Sequence, residues 1–434
     1  MQLILAILAF NAIIIIHEMG HFLLARLFKI KVYEFSLFIG PKIFSFQHKE
    51  TIFSIRLIPM LAYVAFDKED SVYEDKSLAS HPVHARAAVI AAGPLFNIAS
   101  AAVAFAVMLA IAGYQTTEIS VVQKDTPAYY AGIQKGDKVI SFDGKRIYQP
   151  MEIDMFMYNI SGGKTVDIKV QRGNETIPLK LTPRIIPENR PLIGFSPKEI
   201  NGEHTNMIER VEPGSPADAA GIKSGDIIVK LDSTEVLNMQ QILNFMYKNQ
   251  GEPVSITILR DGKKLEPITV TPKRGKNPQM YRTELNFSFE KGNAGDIIQQ
   301  SLIRTYSFTR IGVYSFAWLV QGKVPLNQMT GAVGAVDAIN TAVRQSTSIK
   351  DSFIYLLFMS ALISIGLGVA NLLPIPPADG SKLILLAVEA VRRKPLPQEK
   401  EAFIMMAGFA LMLLLFVFTL YNDIARILTR IFGG

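Results

Sequence analysis

The chain carries the run His17-Glu18-Met19-Gly20-His21 inside its first apolar stretch. On an α-helix, residues four apart lie on one face, so both imidazoles could bind the same metal ion. Glu18 would then lie beside the ion, where a carboxylate can take a proton from a bound water. A charged side chain at the centre of a membrane helix costs roughly 2.5–3.5 kcal/mol on insertion scales, so such residues are usually functional. The run therefore predicts a metal site within a membrane.

The composition favours a membrane protein and excludes other classes. The length of 434 residues predicts about two to four domains. The hydrophobic fraction of 49% and the mean hydropathy of +0.24 indicate a membrane protein. The chain has no cysteine, which excludes disulfides and thiolate metal ligands. The net charge of +7 is modest and no basic block is interleaved with aromatic residues, so we expect no nucleic-acid partner. The first apolar stretch lacks a basic leader and a small-residue cleavage site, so we expect it to be retained as a span.

Four stretches are long enough to cross a hydrocarbon core of about 30 Å, which takes roughly 20 apolar residues. They cover residues 3–27, 87–114, 353–373 and 402–420. Lysine and arginine are concentrated in the connections that follow the first and third stretches. Because basic loops tend to stay in the cytoplasm, we predict that both connections are cytoplasmic, with both termini and the large central region outside.

A fifth apolar stretch, residues 297–320, is interrupted by Gln299, Gln300, Arg304 and Arg310. Counting it as a span would move the basic connection after the third span to the outer side, against the charge rule. We therefore predict an amphipathic helix in or near the outer interface, followed by a second short helix over residues 333–343.

One pattern occurs twice between the second and third spans. Residues 126–137 and 215–226 share Pro-Ala-x-x-Ala-Gly-Ile-x-x-Gly-Asp, which predicts a short helix, a turn and an alternating strand in each copy. A repeat of domain length indicates two copies of one module. The pattern resembles PDZ domains attached to bacterial proteases, which bind peptides by adding a strand to a sheet edge.

The second copy contains a candidate peptide-binding loop. Ile193, Gly194 and Phe195 are similar to the loop with which PDZ domains bind a terminal carboxylate. A plain strand end with a glycine turn would give the same residues, so both interpretations stay open.

Two histidines do not complete a catalytic zinc site, which usually has three protein ligands and a water. The best candidate for the third ligand is Asp379, which follows the third span. Because Pro374, Pro376 and Pro377 end that helix, we expect Asp379 on irregular backbone at membrane depth. Such backbone is tolerated only when it is buried in protein or lines a wet cavity. An ordinary helix-ending turn is the alternative.

Together these features resemble the bacterial site-2 protease family, and their order is similar to its regulator-of-sigma-E (RseP) type over nearly the whole chain. The matching features are the His-Glu-x-x-His span, Ala92-Gly93-Pro94-x-x-Asn97, the two PDZ-like copies and the Asn-x-x-Pro-x-Pro-x-x-Asp-Gly run that starts at Asn371. The resemblance implies a bacterial inner (plasma) membrane protein with its PDZ domains on the periplasmic side.

The resemblance also implies roles for individual residues. One Zn²⁺ per chain would be bound by His17, His21 and Asp379, and Glu18 would be the general base. Asn371 would bind or orient the substrate backbone. Asn97 matches a polar position of the family's second span, and we assign it to substrate binding as well.

One loop departs from the family pattern. The family's Pro-x-Gly-Gly-Tyr-Val reads Pro59-Met60-Leu61-Ala62-Tyr63-Val64 here, so Leu61 and Ala62 replace both glycines. In the family this segment is similar to a membrane-associated β-hairpin. That likeness implies a substrate-pairing strand made of Phe53, Ser54, Ile55, Arg56 and Leu57. We expect the lost glycines to change which substrate side chains fit, without affecting the metal or the base.

The expected fold is a polytopic α-helical membrane protein with four transmembrane helices, two tandem extracytoplasmic PDZ domains that are mainly β, and interfacial helices. The expected segments are, in order, the first transmembrane helix (1–27), a cytoplasmic membrane-associated β-loop region (28–86), the second transmembrane helix (87–114), the two PDZ domains (115–186 and 187–275), periplasmic interfacial helices (290–348), the third transmembrane helix (350–373), a cytoplasmic loop with the aspartate ligand (374–400) and the fourth transmembrane helix (401–425).

The implied function is zinc-dependent proteolysis of single-pass membrane proteins within the bilayer. The substrates would be anti-sigma-factor-type proteins already trimmed on the outside, and also remnant signal peptides. The PDZ pair would either exclude bulky outer domains or bind newly exposed C-termini. A zinc transporter and a catalytically silent PDZ scaffold are the alternatives. The second span is apolar beyond Asn97 and Ser100 and so offers a transporter no polar path, and an intact Glu18 disfavours the scaffold.

Overall fold

The computed structural model describes residues 2–66, 78–157, 160, 163–186, 191–200, 203–249, 251–274, 280–323, 329, 331–344 and 348–432. The chain divides into two compact units. We call them the helical unit, which is Met1–Tyr114 with Lys291–Gly434, and the β unit, which is Gln115–Glu290.

The helices are α1 (Gln2–Leu27), α2 (Val83–Ala112), α3 (Pro127–Tyr130), α4 (Met151–Met157), α5 (Pro216–Ala219), α6 (Met239–Asn249), α7 (Ala294–Val320), α8 (Ala332–Arg344), α9 (Ile349–Leu372), α10 (Asp379–Arg392) and α11 (Gln398–Phe432), with a 3₁₀ turn at Leu78–Ser80. The strands are β1 (Glu34–His48), β2 (Thr51–Ala65), β3 (Tyr114–Val121), β4 (Lys138–Phe142), β5 (Lys145–Arg146), β6 (Val166–Arg172), β7 (Glu175–Leu181), β8 (Arg184–Ile186), β9 (Pro191–Leu192), β10 (Phe195–Ile200), β11 (Glu203–Val211), β12 (Ile227–Leu231), β13 (Thr234–Glu235), β14 (Val254–Arg260), β15 (Lys263–Lys264), β16 (Ile268–Val270), β17 (Lys273–Arg274), β18 (Met280–Arg282) and β19 (Asn286–Glu290).

Within the described part of the chain, four helices are long and apolar enough to cross a membrane. They are Leu3–Leu27, Val83–Ala112, Ile349–Leu372 and Glu399–Ala425. These are the four stretches predicted from the sequence, with ends that differ by a few residues. The protein is therefore a multi-pass membrane protein.

Helices also form at both stretches that we predicted to be interfacial. The Phe308 ring of α7 lies 5.4 Å from that of Phe105 on α2 and 5.9 Å from that of Phe358 on α9. Ile339 and Val343 of α8 share a buried cluster with α1. Both helices thus pack on the core of the helical unit.

Strands β1 and β2 bend so that they form four paired segments. Their order across the sheet is 62–65, 34–37, 52–55 and 44–48. Phe53 accordingly lies opposite Phe35 on one side and opposite Phe46 on the other. The expectation that residues 53–57 offer an open strand to a substrate does not hold for 53–55, because ladder partners already lie along both edges. Among the described residues, the unpaired edge next to α1 belongs to segment 62–65.

The two copies of the repeat fold into matching elements of the β unit. Their sheets have the orders β19-β3-β4-β6-β7 and β10-β11-β12-β14-β15. Each copy buries an aspartate in an ion pair, with Nε–Oδ1 distances of 2.7 Å for both Arg172–Asp137 and Arg260–Asp226. These arginines lie outside the repeated pattern, on the equivalent strands β6 and β14.

The first copy takes its edge strand from beyond the second copy, because β19 pairs with β3. Of two further antiparallel pairs, β8 with β18 joins segments before and after the second copy, and β9 with β17 joins the two ends of that copy. Residues 276–289 fall between the predicted domains. The structure places most of the described residues of this stretch in strands of the β unit, so the first copy is discontinuous in sequence.

Candidate metal centre

Helix α1 places the two histidines on one face, as their spacing of four residues requires. His17 and His21 are 7% and 8% exposed, and their Nε2 atoms lie 3.2 Å apart. The imidazoles meet edge to face, with ring centroids 4.8 Å apart. Both rings therefore direct Nε2 toward a common point.

Asp379 supplies the third side chain at this point. Its Oδ2 lies 3.2 Å from His17 Nε2 and 3.3 Å from His21 Nε2. Asp379 is the first residue of α10, which corrects the expectation of irregular backbone. A Cβ at Gly380 would lie 2.2 Å from the Leu372 carbonyl oxygen, so this glycine lets α10 begin directly against the end of α9.

The three atoms fit a zinc ion. Ligands about 2.0–2.1 Å from a tetrahedral zinc are about 3.3 Å from one another, and the three measured separations are 3.2, 3.2 and 3.3 Å. Two imidazoles and one carboxylate, with a fourth position open for water, are a usual ligand set of catalytic zinc.

Helix α2 supports the histidine ligands from behind. His21 Nδ1 donates a hydrogen bond to the Val89 carbonyl oxygen at 2.8 Å, which leaves the Nε2 lone pair free for a metal. A Cβ at Gly93 would lie 2.3 Å from His21 Nε2 and 2.9 Å from His17 Cε1. Glycine is therefore required at this position for the ligands to keep their places.

Asn97 lies against His17 and is not open to a substrate. Its side chain is 0% exposed, and its amide nitrogen is 3.3 Å from His17 Nδ1. We predicted substrate binding for this residue, and the structure instead gives it a place behind a ligand.

Glu18 follows His17 on α1 and is half-buried. The backbone N–H of Val64, in β2, donates a hydrogen bond to its carboxylate, and both histidines and Asp379 lie close enough to interact with it electrostatically. The carboxylate is thus held beside the three ligand atoms and next to the unpaired edge of segment 62–65. This position suits a general base.

The remaining predicted substrate-binding residues are not gathered at the ligands. Phe53 packs its ring 5.8 Å from Phe22 and 5.3 Å from Phe46, while Ile55 and Leu57 are exposed. Asn371 is half-buried in the last turn of α9. It is next to Leu372, whose carbonyl oxygen lies against Gly380.

Ser54 and Arg56 belong to a polar network inside the β1–β2 sheet. Ser54 Oγ donates to Glu34 Oε1 at 2.6 Å, and Arg56 Nη2 donates to the same oxygen at 3.0 Å. Burial favours the neutral acid, but hydrogen bonds from Ser54, Arg56 and Lys42 outweigh it and lower the pKa of Glu34 below its usual value. Both residues therefore stabilise the sheet.

Sequence reasoning missed several contributors to the site. Gly93 stood in a recognised motif, but only the structure shows what it makes room for. The contributions of Val89 and Val64 are backbone atoms, which leave no signal in side-chain types. Arg86 of α2 also forms an ion pair with Glu389 of α10, and no sequence pattern links these two distant residues.

Several known proteases are similar to this chain. The sequence profile of peptidase family M50 matches residues 5–415. The chain is 30% identical to the zinc metalloprotease RasP of Geobacillus kaustophilus over 442 residues, covering 97% of each chain. It is also 30% identical to the regulator of sigma E protease of Haemophilus influenzae over 452 residues, covering 97% of this chain and 98% of that one. A solved structure, an HtrA-type protease AlgW variant with a decapeptide, matches 26% of this chain and 42% of its own at 18% identity and a TM-score of 0.20.

Proposed function

The chain belongs to peptidase family M50 and is a zinc metalloprotease, and on this basis we propose that it is a site-2 protease that cleaves single-pass membrane proteins within the bilayer. One observation carries the proposal. His17 and His21 lie within a helix that is apolar and long enough to cross a membrane, and Asp379 of α10 meets them there to complete a set of three metal ligands. Membership of a peptidase family, with Glu18 beside the ligands, also argues against a zinc transporter and a silent scaffold.

The names of the relatives indicate a substrate class. A regulator of sigma E protease and RasP are among the proteins that match nearly the full length of this chain. By analogy, the substrates are anti-sigma-factor-type membrane proteins already trimmed on the outer side. Remnant signal peptides, which are also single hydrophobic helices, are a second class.

The proposed chemistry assigns a role to each residue of the centre. A zinc ion held by His17, His21 and Asp379 supplies a Lewis acid and lowers the pKa of a water molecule. Glu18 takes the proton of the attacking water and later delivers it to the leaving amine. Asn371, in the turn of α9 that leads to Asp379, orients the substrate backbone.

A helical substrate must unwind locally, because its peptide bonds are enclosed by its own hydrogen-bond ladder. The freed N–H and C=O groups then need partners. Segment 62–65 has an unpaired edge among the described residues, and Val64 in this segment binds Glu18. We assign substrate pairing to this segment in place of residues 53–57, because a strand added there would pass beside the base.

The β unit controls access in this proposal. Its two copies act as PDZ domains on the periplasmic side of the bacterial inner membrane, as the charge of the connections indicates. Gly194 has φ of 90°, and the Ile193 carbonyl accepts a hydrogen bond from Ala217 N–H at 2.9 Å. The loop ending at Phe195 is thereby tied to α5, the short helix of the second copy.

The test is proteolysis by the purified protein in detergent, with a single-span substrate whose outer domain is truncated. We expect cleavage by the wild type that stops with a zinc chelator and is absent in Glu18→Gln. Glu266→Gln, an exposed carboxylate of the β unit, is the matched control and should cleave normally. Equal cleavage by Glu18→Gln and the wild type would contradict the proposal.

A further inference from the structure

Asn97 is a buried polar residue for which the mechanism gives no role. Its amide nitrogen lies 3.3 Å from His17 Nδ1, and its side chain is fully enclosed. Within the described part of the chain, its amide oxygen is buried and has no hydrogen-bond partner. An unpartnered buried oxygen costs about 1–3 kcal/mol, so this arrangement calls for an explanation.

The protonation of His17 supplies the explanation. Its Nε2 lies 3.2 Å from both other ligand atoms, so Nε2 is the atom that faces a metal. A neutral imidazole that binds metal through Nε2 carries its proton on Nδ1, which must then donate a hydrogen bond. The Asn97 amide nitrogen is a donor and cannot accept that bond. Rotating the amide by 180° exchanges the nitrogen for the unpartnered oxygen, which can accept the bond from His17 Nδ1.

We propose that Asn97 is a positioning residue, which accepts the Nδ1 proton of His17 through its amide oxygen and fixes the ring in the metal-binding tautomer. The two histidines then have equivalent supports. His21 donates to the backbone carbonyl of Val89, and His17 donates to the side chain of Asn97. Because a substitution changes only the side chain, only the hydrogen bond to Asn97 can be removed in this way.

The backbone of Asn97 is itself fixed between two helices. Its carbonyl oxygen accepts hydrogen bonds from Ser100 Oγ at 2.8 Å and from Ser364 Oγ of α9 at 2.9 Å. A Cβ at Gly368 would lie 3.5 Å from the Asn97 Cβ, so α9 passes close to this point. The packing of α2 on α9 thus sets where the amide can reach.

The test measures zinc affinity by competition with a chelator in detergent, and so does not depend on whether any substrate is cleaved. Asn97→Leu keeps the shape and removes the acceptor, and we expect it to bind zinc about 10–100-fold more weakly. Asn97→Asp keeps an acceptor oxygen and should stay within about threefold of the wild type. Ser301→Ala is the matched control, since it removes a buried hydrogen bond within α7, to the Ile298 carbonyl oxygen at 2.8 Å, that involves neither Asn97 nor a ligand, and it should leave the affinity unchanged.

Wild-type affinity in a folded Asn97→Leu variant would overturn the proposal. If Asn97→Leu does not fold, as judged by gel filtration and thermal unfolding, Asn97→Asp decides alone: retained affinity supports the proposal, and a loss of tenfold or more overturns it.

Discussion

Arg86 of α2 and Glu389 of α10 form a two-pronged ion pair, with Arg86 Nη1 3.1 Å from Glu389 Oε2 and Nη2 bound to Oε1. The two side chains are 15% and 18% exposed. Helix α2 carries the groups that support the histidines, and α10 begins with Asp379. The pair therefore joins the helix behind two ligands to the helix that supplies the third.

Reversing one charge of this pair should weaken the metal centre. In Arg86→Glu, two largely buried carboxylates face each other, and breaking such a pair costs about 3–5 kcal/mol. We expect a lower midpoint of thermal unfolding and less zinc retained through purification. The double variant Arg86→Glu with Glu389→Arg restores the attraction and should recover most of both. Retained zinc in the single variant would show that the pair does not position Asp379.

Adding one methyl group at Gly93 should remove zinc binding. In Gly93→Ala the new Cβ would lie 2.3 Å from His21 Nε2, so the imidazole must leave its position. Gly366→Ala is the matched control, because a Cβ on this glycine of α9 meets no atom within 4 Å. Metal analysis of the two purified variants should give no zinc for the first and one zinc per chain for the second. Full zinc content in both would contradict the assigned positions of the ligands.

Restoring a glycine at position 61, where the loop over residues 59–64 differs from the family pattern, should stabilise the protein. Leu61 has φ of 67°, a left-handed conformation that costs a non-glycine residue roughly 1–2 kcal/mol. Leu61→Gly removes that strain and costs about 0.5–1 kcal/mol in backbone entropy, so we expect a gain of up to about 1.5 kcal/mol. Ala62→Gly, at a neighbouring position without positive φ, should only lower the stability. Thermal unfolding in detergent compares the two, and an equal decrease in both would refute the strain.

The buried aspartates should make the stability of the β unit depend on pH. Burial raises the pKa of Asp226, but hydrogen bonds from Arg260 and the Lys223 N–H outweigh it, so the native pKa lies below the usual value. Since the folded state then holds fewer protons than the unfolded state, this stabilisation is complete above about pH 4 and is lost as the pH falls below it.

Hydrogen exchange on the full chain, corrected for intrinsic rates, measures this effect. Protection of β12 and β14 should fall below about pH 4 in the wild type. In Asp226→Asn the protection should be lower and should vary less with pH. Asp137→Asn should act in the same way on β4 and β6 alone, so each variant is the control for the other. A wild-type profile in Asp226→Asn would show that the ion pair does not govern this stability.

Much of the site could be predicted from side-chain types and their spacing. The two histidines share a helix, so their geometry follows from the helical repeat, and the four spans follow from hydropathy. Asp379 could be chosen because it is the carboxylate that closely follows the proline-rich end of the third span. The position of Asp379 at the start of a helix could not be predicted. The three prolines before it indicate that α9 ends, but they do not indicate that α10 begins directly afterwards.

Other features depend on tertiary contacts that no local pattern records. The pairing of residues 53–55 on both sides results from two bends in long strands, which the sequence does not mark. The placement of β19 beside β3 joins residues separated by the whole second copy. Asn97 was assigned to the substrate because it matches a polar position of the family's second span, but which group its side chain contacts depends on how α2 faces α1.

The most direct test of the central claim is the position of the cleaved bond. A single-span substrate without its outer domain is incubated with the protein in proteoliposomes, and both products are sequenced by mass spectrometry. We predict one scissile bond within the apolar span, in its cytoplasmic half, and no product with Glu18→Gln. Cleavage confined to residues outside the span, or unchanged cleavage with Glu18→Gln, would contradict proteolysis within the membrane by this metal centre.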